Sequence, residues 1–72
     1  MNQYLFSVRL SYHEFEALYR GKASTVMVVD TLGRRIQLPA ARFRPFLGYK
    51  GIEGQFELIT DHQNRFVSLT RK

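Results

Sequence analysis

The chain has 72 residues, a formal net charge of +5, 44% hydrophobic residues and no cysteine. The apolar content, with 14% aromatic residues, excludes a disordered tail, and the missing cysteines exclude a disulfide framework or a thiolate metal site. This length predicts one domain, residues 1–72. Its small core must be stabilised by packing, since folding removes roughly 60% of the unfolded surface at this size.

The amino terminus and the apolar runs predict a soluble, cytoplasmic protein. Met1–Gln3 is uncharged, whereas a secretory signal begins with basic residues and continues with about 7 to 15 apolar ones. The longest uninterrupted apolar run is Val26–Val29, far shorter than the ~20 residues that span a bilayer. We therefore expect neither export nor membrane insertion.

The first two elements are predicted to be a strand and a helix. Apolar side chains alternate over Tyr4–Leu10, which is typical of a strand with one buried face. Ser11 and Glu14 have the spacing of a capping box, and apolar residues follow at helical spacing, so a helix is expected over Tyr12–Arg20. Gly21 is predicted to end this helix in the left-handed conformation.

The next two strands are predicted to form a hairpin. Ser24–Thr31 is rich in β-branched residues and has apolar side chains at both odd and even positions, which predicts a central strand covered on both faces. A tight connection at Leu32–Gly33 leads to a third strand over Arg34–Leu38. Pro39 ends that strand, because proline cannot donate to a ladder.

After Pro39 the chain is predicted to turn and then to bend. Ala40–Arg44 can form one helical turn, which ends there because Pro45 disfavours helix at the residue before it. Apolar side chains of this region are expected to close one end of the core; they are Phe43, Phe46 and Leu47. Closely spaced glycines then predict a flexible bend; they are Gly48, Gly51 and Gly54.

The last third of the chain predicts a second hairpin, with strands over Gln55–Thr60 and Arg65–Arg71 around the turn Asp61–Asn64. No internal repeat is predicted. The complete pattern predicts an α+β, mostly β fold. We expect a small, bent, five-stranded antiparallel sheet or partly open barrel of the SH3-like or OB-like kind, with one short helix after the first strand.

Cations cluster in the middle of the chain, where no acidic residue occurs between Asp30 and Glu53. The predicted binding patch combines them with an amide and an aromatic side chain; its members are Arg34, Arg35, Gln37, Arg42, Arg44, Tyr49 and Lys50. Guanidinium forks pair with phosphate and, beside aromatic faces, hold single-stranded nucleic acid. One hypothesis is therefore binding of RNA or single-stranded nucleic acid. Its log–log salt slope would be roughly −3 to −4 if about four cations contact phosphate. The alternative is that these arginines are solvated or pair with Glu53 and Glu57.

Catalysis, metal binding and cofactor binding have no support in the sequence. His13 and His62 stand apart, without a second ligand at helical spacing, so no metal site is predicted. Ser11 is assigned to the helix cap, and no serine lies in a nucleophile elbow. The scattered carboxylates form no acid–base pair, and no glycine loop for phosphate occurs. We predict a protein that is not an enzyme and holds no cofactor.

Protein interaction is the leading functional hypothesis. An edge strand, with the third and fifth strands as candidates, offers unpaired backbone groups that a partner or a second copy can complete. With so small a core, homodimerisation would also stabilise the fold. The sequence therefore predicts a non-enzymatic binding module that acts through protein interaction or self-association, with nucleic-acid binding as the alternative.

Several segments together resemble a known protein family. They are Thr31–Ala40, Phe43–Phe46, Gly51–Leu58 and Phe66–Leu69. Their Pro-Ala and Arg-Pro-Phe motifs, together with the chain length, are similar to a family of short bacterial proteins classed as a domain of unknown function. The resemblance covers nearly the whole chain. It implies a bacterial, stand-alone cytosolic protein and supplies no activity or binding residues.

Overall fold

A computed structural model describes residues 1–21 and 24–72. Its strands are β1 (Asn2–Leu10), β2 (Thr25–Val29), β3 (Arg35–Pro39), β4 (Ile52–Thr60) and β5 (Phe66–Arg71). Helix α1 (Tyr12–Arg20) follows β1, and a 3₁₀ helix (Ala40–Phe46) follows β3.

The strands form two antiparallel sheets, one with the order β1-β4-β5 and one made of β2 and β3. The mostly β, α+β class is confirmed, but the prediction of one five-stranded sheet was wrong. The two sheets meet where the Thr31 amide donates to the Leu5 carbonyl at 2.8 Å. In the part of the chain that the structure describes, no strand pairing joins β3 to β5, so the two sheets do not close on the other side. The likeness to SH3 or OB barrels stays a prediction.

Helix α1 has the predicted bounds and the predicted cap. The Ser11 hydroxyl accepts from the Glu14 amide at 3.1 Å, and the Glu14 carboxylate accepts from the Ser11 amide at 2.9 Å. Phe15 is the buried residue of the helix. The prediction for Gly21 was wrong, since its φ is −73° and its amide donates to the Leu18 carbonyl. The chain leaves the helix in an extended conformation, which does not require glycine.

Strand β2 is not the doubly covered central strand that its composition predicts. Val26 and Val28 are buried, whereas Met27 and Val29 are 53% and 56% exposed. Exposed and buried side chains alternate along the strand, and its second face is not covered by the described residues. The apolar side chains of both parities therefore indicate one core face and one exposed apolar face.

A cluster of phenylalanine rings forms the centre of the core. Phe6 lies 6.4 Å from Phe43 and 6.1 Å from Phe56 between ring centroids, and Phe43 meets Phe56 edge-on at 5.7 Å. Phe43 is fully buried, and Phe46, like Leu47, packs half-buried against this cluster. The 3₁₀ helix therefore places apolar side chains on the core as predicted, and it extends through Pro45 to Phe46.

The glycine-rich bend is a defined turn rather than an unstructured segment. The amides of Gly48 and Gly51 each donate to the other's carbonyl at 2.9 Å. At Gly51 φ is +106°, and a Cβ there would lie 2.0 Å from the Leu10 carbonyl oxygen, so this position requires glycine. Strand β4 begins directly afterwards at Ile52, earlier than predicted, and includes Gly54.

Candidate binding cleft

An open cleft of about 490 Å³ lies between β3 and the β4–β5 hairpin. We call it the β3–β5 cleft. One wall consists of the consecutive residues Arg34–Pro39. The remaining lining comes from β1, the 3₁₀ helix, β4, β5 and the loop between β4 and β5; these residues are Tyr4, Arg42, Leu58, Thr60, Asn64 and Phe66. None of the lining residues is a carboxylate, so the described part of the cleft is positively charged.

The residues of the predicted binding patch do not share one face. Four of them line the β3–β5 cleft; they are Arg34, Arg35, Gln37 and Arg42. Arg44 instead lies over the Tyr19 ring, 5.0 Å from its centroid, in a separate groove beside α1. Tyr49 and Lys50 contact one another in the Gly48–Gly51 turn, where Tyr49 is 86% exposed. A single basic surface of all seven residues therefore does not form.

The loop between β2 and β3 is organised by the carboxylate of Asp30, whose side chain is 0% exposed. One oxygen accepts from the amides of Leu32 and Arg34 at 3.0 and 2.7 Å, and the other accepts from Arg34 Nε at 2.6 Å. Burial by itself would raise the pKa of Asp30. The hydrogen bonds and the charge of Arg34 outweigh that effect and hold the pKa below its ordinary value.

Arg34 is consequently a structural residue at one end of the cleft. Besides Asp30, its guanidinium donates to the Gln3 carbonyl at 3.0 Å and lies over the Tyr4 ring, 4.3 Å from the centroid. These contacts connect the β2–β3 loop with β1. Pairing with Glu53 or Glu57 was one alternative for the arginines, and Arg34 pairs with Asp30 instead, inside its own loop.

The loop between β4 and β5 repeats this arrangement, although the sequence predicted no internal repeat. One Asp61 oxygen accepts from the amides of Gln63 and Arg65 at 2.9 and 2.8 Å, and the other accepts from Arg65 Nε at 2.9 Å. The hydrogen bond from the Arg65 amide is the main cause that lowers the pKa of Asp61. The signal present in the sequence is the pattern Asp-x-x-Gly/Asn-Arg, which occurs once in each hairpin.

The fourth position of each loop has a positive φ, +81° at Gly33 and +63° at Asn64. The Asn64 side-chain oxygen also accepts from the Tyr4 hydroxyl at 2.7 Å and from the Thr60 hydroxyl at 3.0 Å. These bonds fix the same end of the cleft that Arg34 borders. The role of Asn64 was not predicted from the sequence, because its bond to Tyr4 joins positions 60 residues apart in the chain.

Arg35 and Arg42 are the cleft arginines that have no carboxylate partner among the described residues. Arg42 lines the cleft from the 3₁₀ helix, with its guanidinium 3.8 Å from the centroid of the Phe66 ring. Arg35 is exposed on β3. Their charges are therefore accessible to an acidic ligand, whereas the charge of Arg34 is compensated by Asp30.

Strand β3 has a free edge. Hydrogen bonds to the partner strand occur at the Asp30–Arg34 pair before it and at the Ser24–Ala40 pair after it. Hydrogen-bonded and non-bonded pairs alternate in an antiparallel ladder, so Ile36 and Leu38 direct their amides and carbonyls toward β2. The intervening residues direct theirs away from β2; they are Arg35, Gln37 and Pro39. Proline occupies one of these outward positions, where no donor is needed.

Strand β5 ends the other sheet in the same way. The Lys72 amide donates to the Gln55 carbonyl at 2.8 Å, so Lys72 forms a hydrogen-bonded pair with β4. Because bonded and non-bonded pairs alternate along the ladder, Leu69 and Arg71 are non-bonded, and their amides and carbonyls point away from β4. The strand predictions were therefore correct in one respect: the third and fifth strands are edge strands, as β1 and β2 also are, and residues of β3 and β5 line the cleft.

Other predicted features remain separate from the cleft. His13 lies on α1 and His62 lies in the β4–β5 loop. In residues 1–21 and 24–72, no three His, Cys, Asp or Glu side chains converge as metal ligands. Within the same residues, no helix combines the length and the hydrophobicity that are needed to cross a membrane.

Comparison with known proteins identifies the family and no closer relative. Neither a curated protein nor a solved structure matches the chain significantly. A family model described as "Protein of unknown function (DUF2835)" matches residues 2–72, which confirms the resemblance to a family of unknown function. Because the match covers all but the first residue, the chain belongs to the DUF2835 family.

Proposed function

We propose that this protein is a non-enzymatic binding module that pairs an extended segment of another protein with the free edge of β3. The observation that carries the proposal is the continuous run Arg34–Pro39 along one wall of the cleft. Because the side chains of a strand alternate between its faces, a cleft lined by six consecutive residues runs along the strand edge. Extended peptides commonly bind such edges through main-chain hydrogen bonds.

The chemistry of the cleft supports binding rather than catalysis. Its described polar lining consists of guanidinium, amide and hydroxyl groups, without a carboxylate, imidazole or thiol that could act as a base. The Tyr4 and Thr60 hydroxyls already donate to Asn64. An open cleft with fixed polar groups and a free strand edge is suited to holding a chain.

Nucleic acid fits this cleft less well than a peptide. Single-strand binding uses exposed aromatic faces on which bases stack, together with cations along the backbone. Here the rings of Tyr4 and Phe66 are each covered on one face by an arginine, and Arg44 and Lys50 lie outside the cleft. A protein segment needs no stacking surface and can use the backbone groups of β3.

Self-association is one form of the same proposal, since a second copy can supply the extended segment. A bacterial, cytoplasmic setting also belongs to the proposal. It is supported by the absence of cysteine and by the resemblance of the motifs to a bacterial family.

The test is peptide selection on a variant that lacks one outward donor. Gln37→Pro removes an amide that points away from β2, so the β2–β3 ladder is retained, as it is beside the natural Pro39. Gln37→Ala is the matched control, because it shortens the same side chain and keeps the amide. Circular dichroism and thermal unfolding establish that both variants are folded.

A displayed library of random peptides is then selected on immobilised wild-type protein and on each variant. We expect peptides that bind wild type and Gln37→Ala, and at least tenfold weaker binding to Gln37→Pro, since main-chain pairing supplies much of the affinity in this mode. Failure to enrich any peptide, or equal binding to the folded proline variant, would overturn the proposal.

A further inference from the structure

We infer that the bound segment has an alternating pattern of acidic or polar and apolar residues, with an acidic side chain opposite Arg35 and an apolar one opposite Ile36. This inference rests on the proposed function and specifies the chemistry of its partner. It follows from the two faces of β3, which differ in charge and in burial.

The outer face of β3 determines one half of the pattern. Arg35 and Gln37 are exposed and stand beside Val29 and Met27 of β2 on the same face. Directly opposed residues of neighbouring strands place their side chains on the same face of a sheet. The residues of an added strand opposite Arg35 and Gln37 would therefore also face outward. An acidic group fits opposite Arg35, and a polar group fits opposite the amide of Gln37.

The inner face determines the other half. Ile36 is half-buried and Leu38 is buried, and both point toward the core. A segment residue opposite Ile36 would point into the cleft, toward Leu58 and Phe66. Phe66 is itself only half-buried, so an aliphatic or aromatic side chain placed here would remove apolar surface from water.

The positive charge of the cleft indicates that the segment is acidic. Arg35 and Arg42 have no carboxylate partner among the described residues, and no acidic residue lines the cleft. A carboxylate near Arg35 would gain a charge-assisted hydrogen bond, whereas a lysine there would be repelled. The segment is therefore acidic, with the order acidic, apolar, polar, apolar, in either chain direction.

Synthetic peptides with this order test the inference by fluorescence anisotropy. The main probe has the core Glu-Val-Thr-Phe between serine and glycine residues, and a second probe has the reversed order. A block-ordered control, Glu-Thr-Val-Phe, has the same composition without alternation, and Lys-Val-Thr-Phe reverses the charge. We expect one of the alternating acidic probes to bind wild type about fivefold more tightly than either control at low salt.

A charge swap then assigns the preference to Arg35. In Arg35→Glu the preference should reverse, so that the Lys-Val-Thr-Phe probe binds more tightly than its acidic counterpart. Lys50→Glu makes the same change of charge in a turn outside the cleft and should leave the preference as it is in wild type. Thermal unfolding checks that both variants are folded.

Two kinds of failure are distinguishable. If random peptides bind at the β3 edge but show no alternation, or if the charge swap leaves the preference unchanged, the inference is wrong and the proposed function stands. If no peptide binds, and a labelled single-stranded oligonucleotide binds in a salt-sensitive way that Arg35→Glu abolishes, then the inference and the proposed function are both wrong.

Discussion

The two hairpin loops have the same local sequence pattern and the same hydrogen bonds, yet they differ in their surroundings. In each, an aspartate accepts from two backbone amides and from the Nε of the arginine four residues later. The Asp30 side chain is fully buried, whereas that of Asp61 is 24% exposed. Arg34 reaches β1 through Gln3 and Tyr4. A local motif thus fixes a loop conformation, and its position in the fold decides how much stability depends on it.

The largest difference is expected when each aspartate is replaced by alanine. Asp30→Ala leaves two amides and Arg34 Nε without their acceptor, at a position where the carboxylate is fully shielded from water. We expect its melting temperature to fall by roughly 10 °C, and that of Asp61→Ala by roughly a third as much. Thermal unfolding followed by circular dichroism measures both. Equal losses would mean that burial does not distinguish the loops.

A smaller effect is expected at the fourth loop position, where the two loops carry different residues. Gly33→Ala puts a side chain at φ +81° and should cost about 1 kcal/mol, because left-handed backbone is unfavourable for alanine. Gly33→Asn should cost less than half of that, since asparagine tolerates this conformation and occupies it in the second loop at Asn64.

Chemical denaturation of these two variants measures the difference. No steric contact is expected to complicate it, since a Cβ at Gly33 meets no atom within 4 Å. If Gly33→Asn were as destabilising as Gly33→Ala, the correspondence between the two loops would be limited to their hydrogen bonds.

The smallest expected effect is the loss of stability at low pH. The pKa values of Asp30 and Asp61 are both lowered by folding, so at low pH the unfolded chain binds more protons than the native one. The free energy of unfolding therefore decreases as the pH falls below the unfolded value of about 3.9 and continues to decrease through the lower, folded pKa. Above that range the contribution is complete.

Asp30→Asn and Asp61→Asn should each weaken this acid dependence, since asparagine does not titrate. The urea midpoint measured between neutral pH and about pH 2.5 gives the dependence for each variant. An unchanged dependence in both variants would show that other carboxylates cause the acid destabilisation.

Local sequence predicted much of the fold. The capping box of Ser11 and Glu14 set the start of α1, and alternation located the strands to within a few residues, because both signals depend on neighbours along the chain. The second face of β2 was predicted to be covered, and this prediction was wrong. Apolar residues on both parities are equally compatible with a covered face and with an exposed one that can meet a partner.

The candidate site was predicted only in part. Four of the seven patch residues line the cleft, whereas Arg44, Tyr49 and Lys50 lie elsewhere. Proximity in sequence could not separate them, since the 3₁₀ helix and the Gly48–Gly51 turn direct the chain away from β3.

The sequence by itself determined the features that arise within a few residues. These are the cap of α1, the strand period and the two Asp-x-x-Gly/Asn-Arg loops. Only the tertiary structure decided that Arg34 is neutralised while Arg35 and Arg42 are not, and that the two sheets leave a cleft beside the free edge of β3. The reason is that charge compensation, burial and sheet closure depend on segments far apart in the chain, which meet only when the core packs.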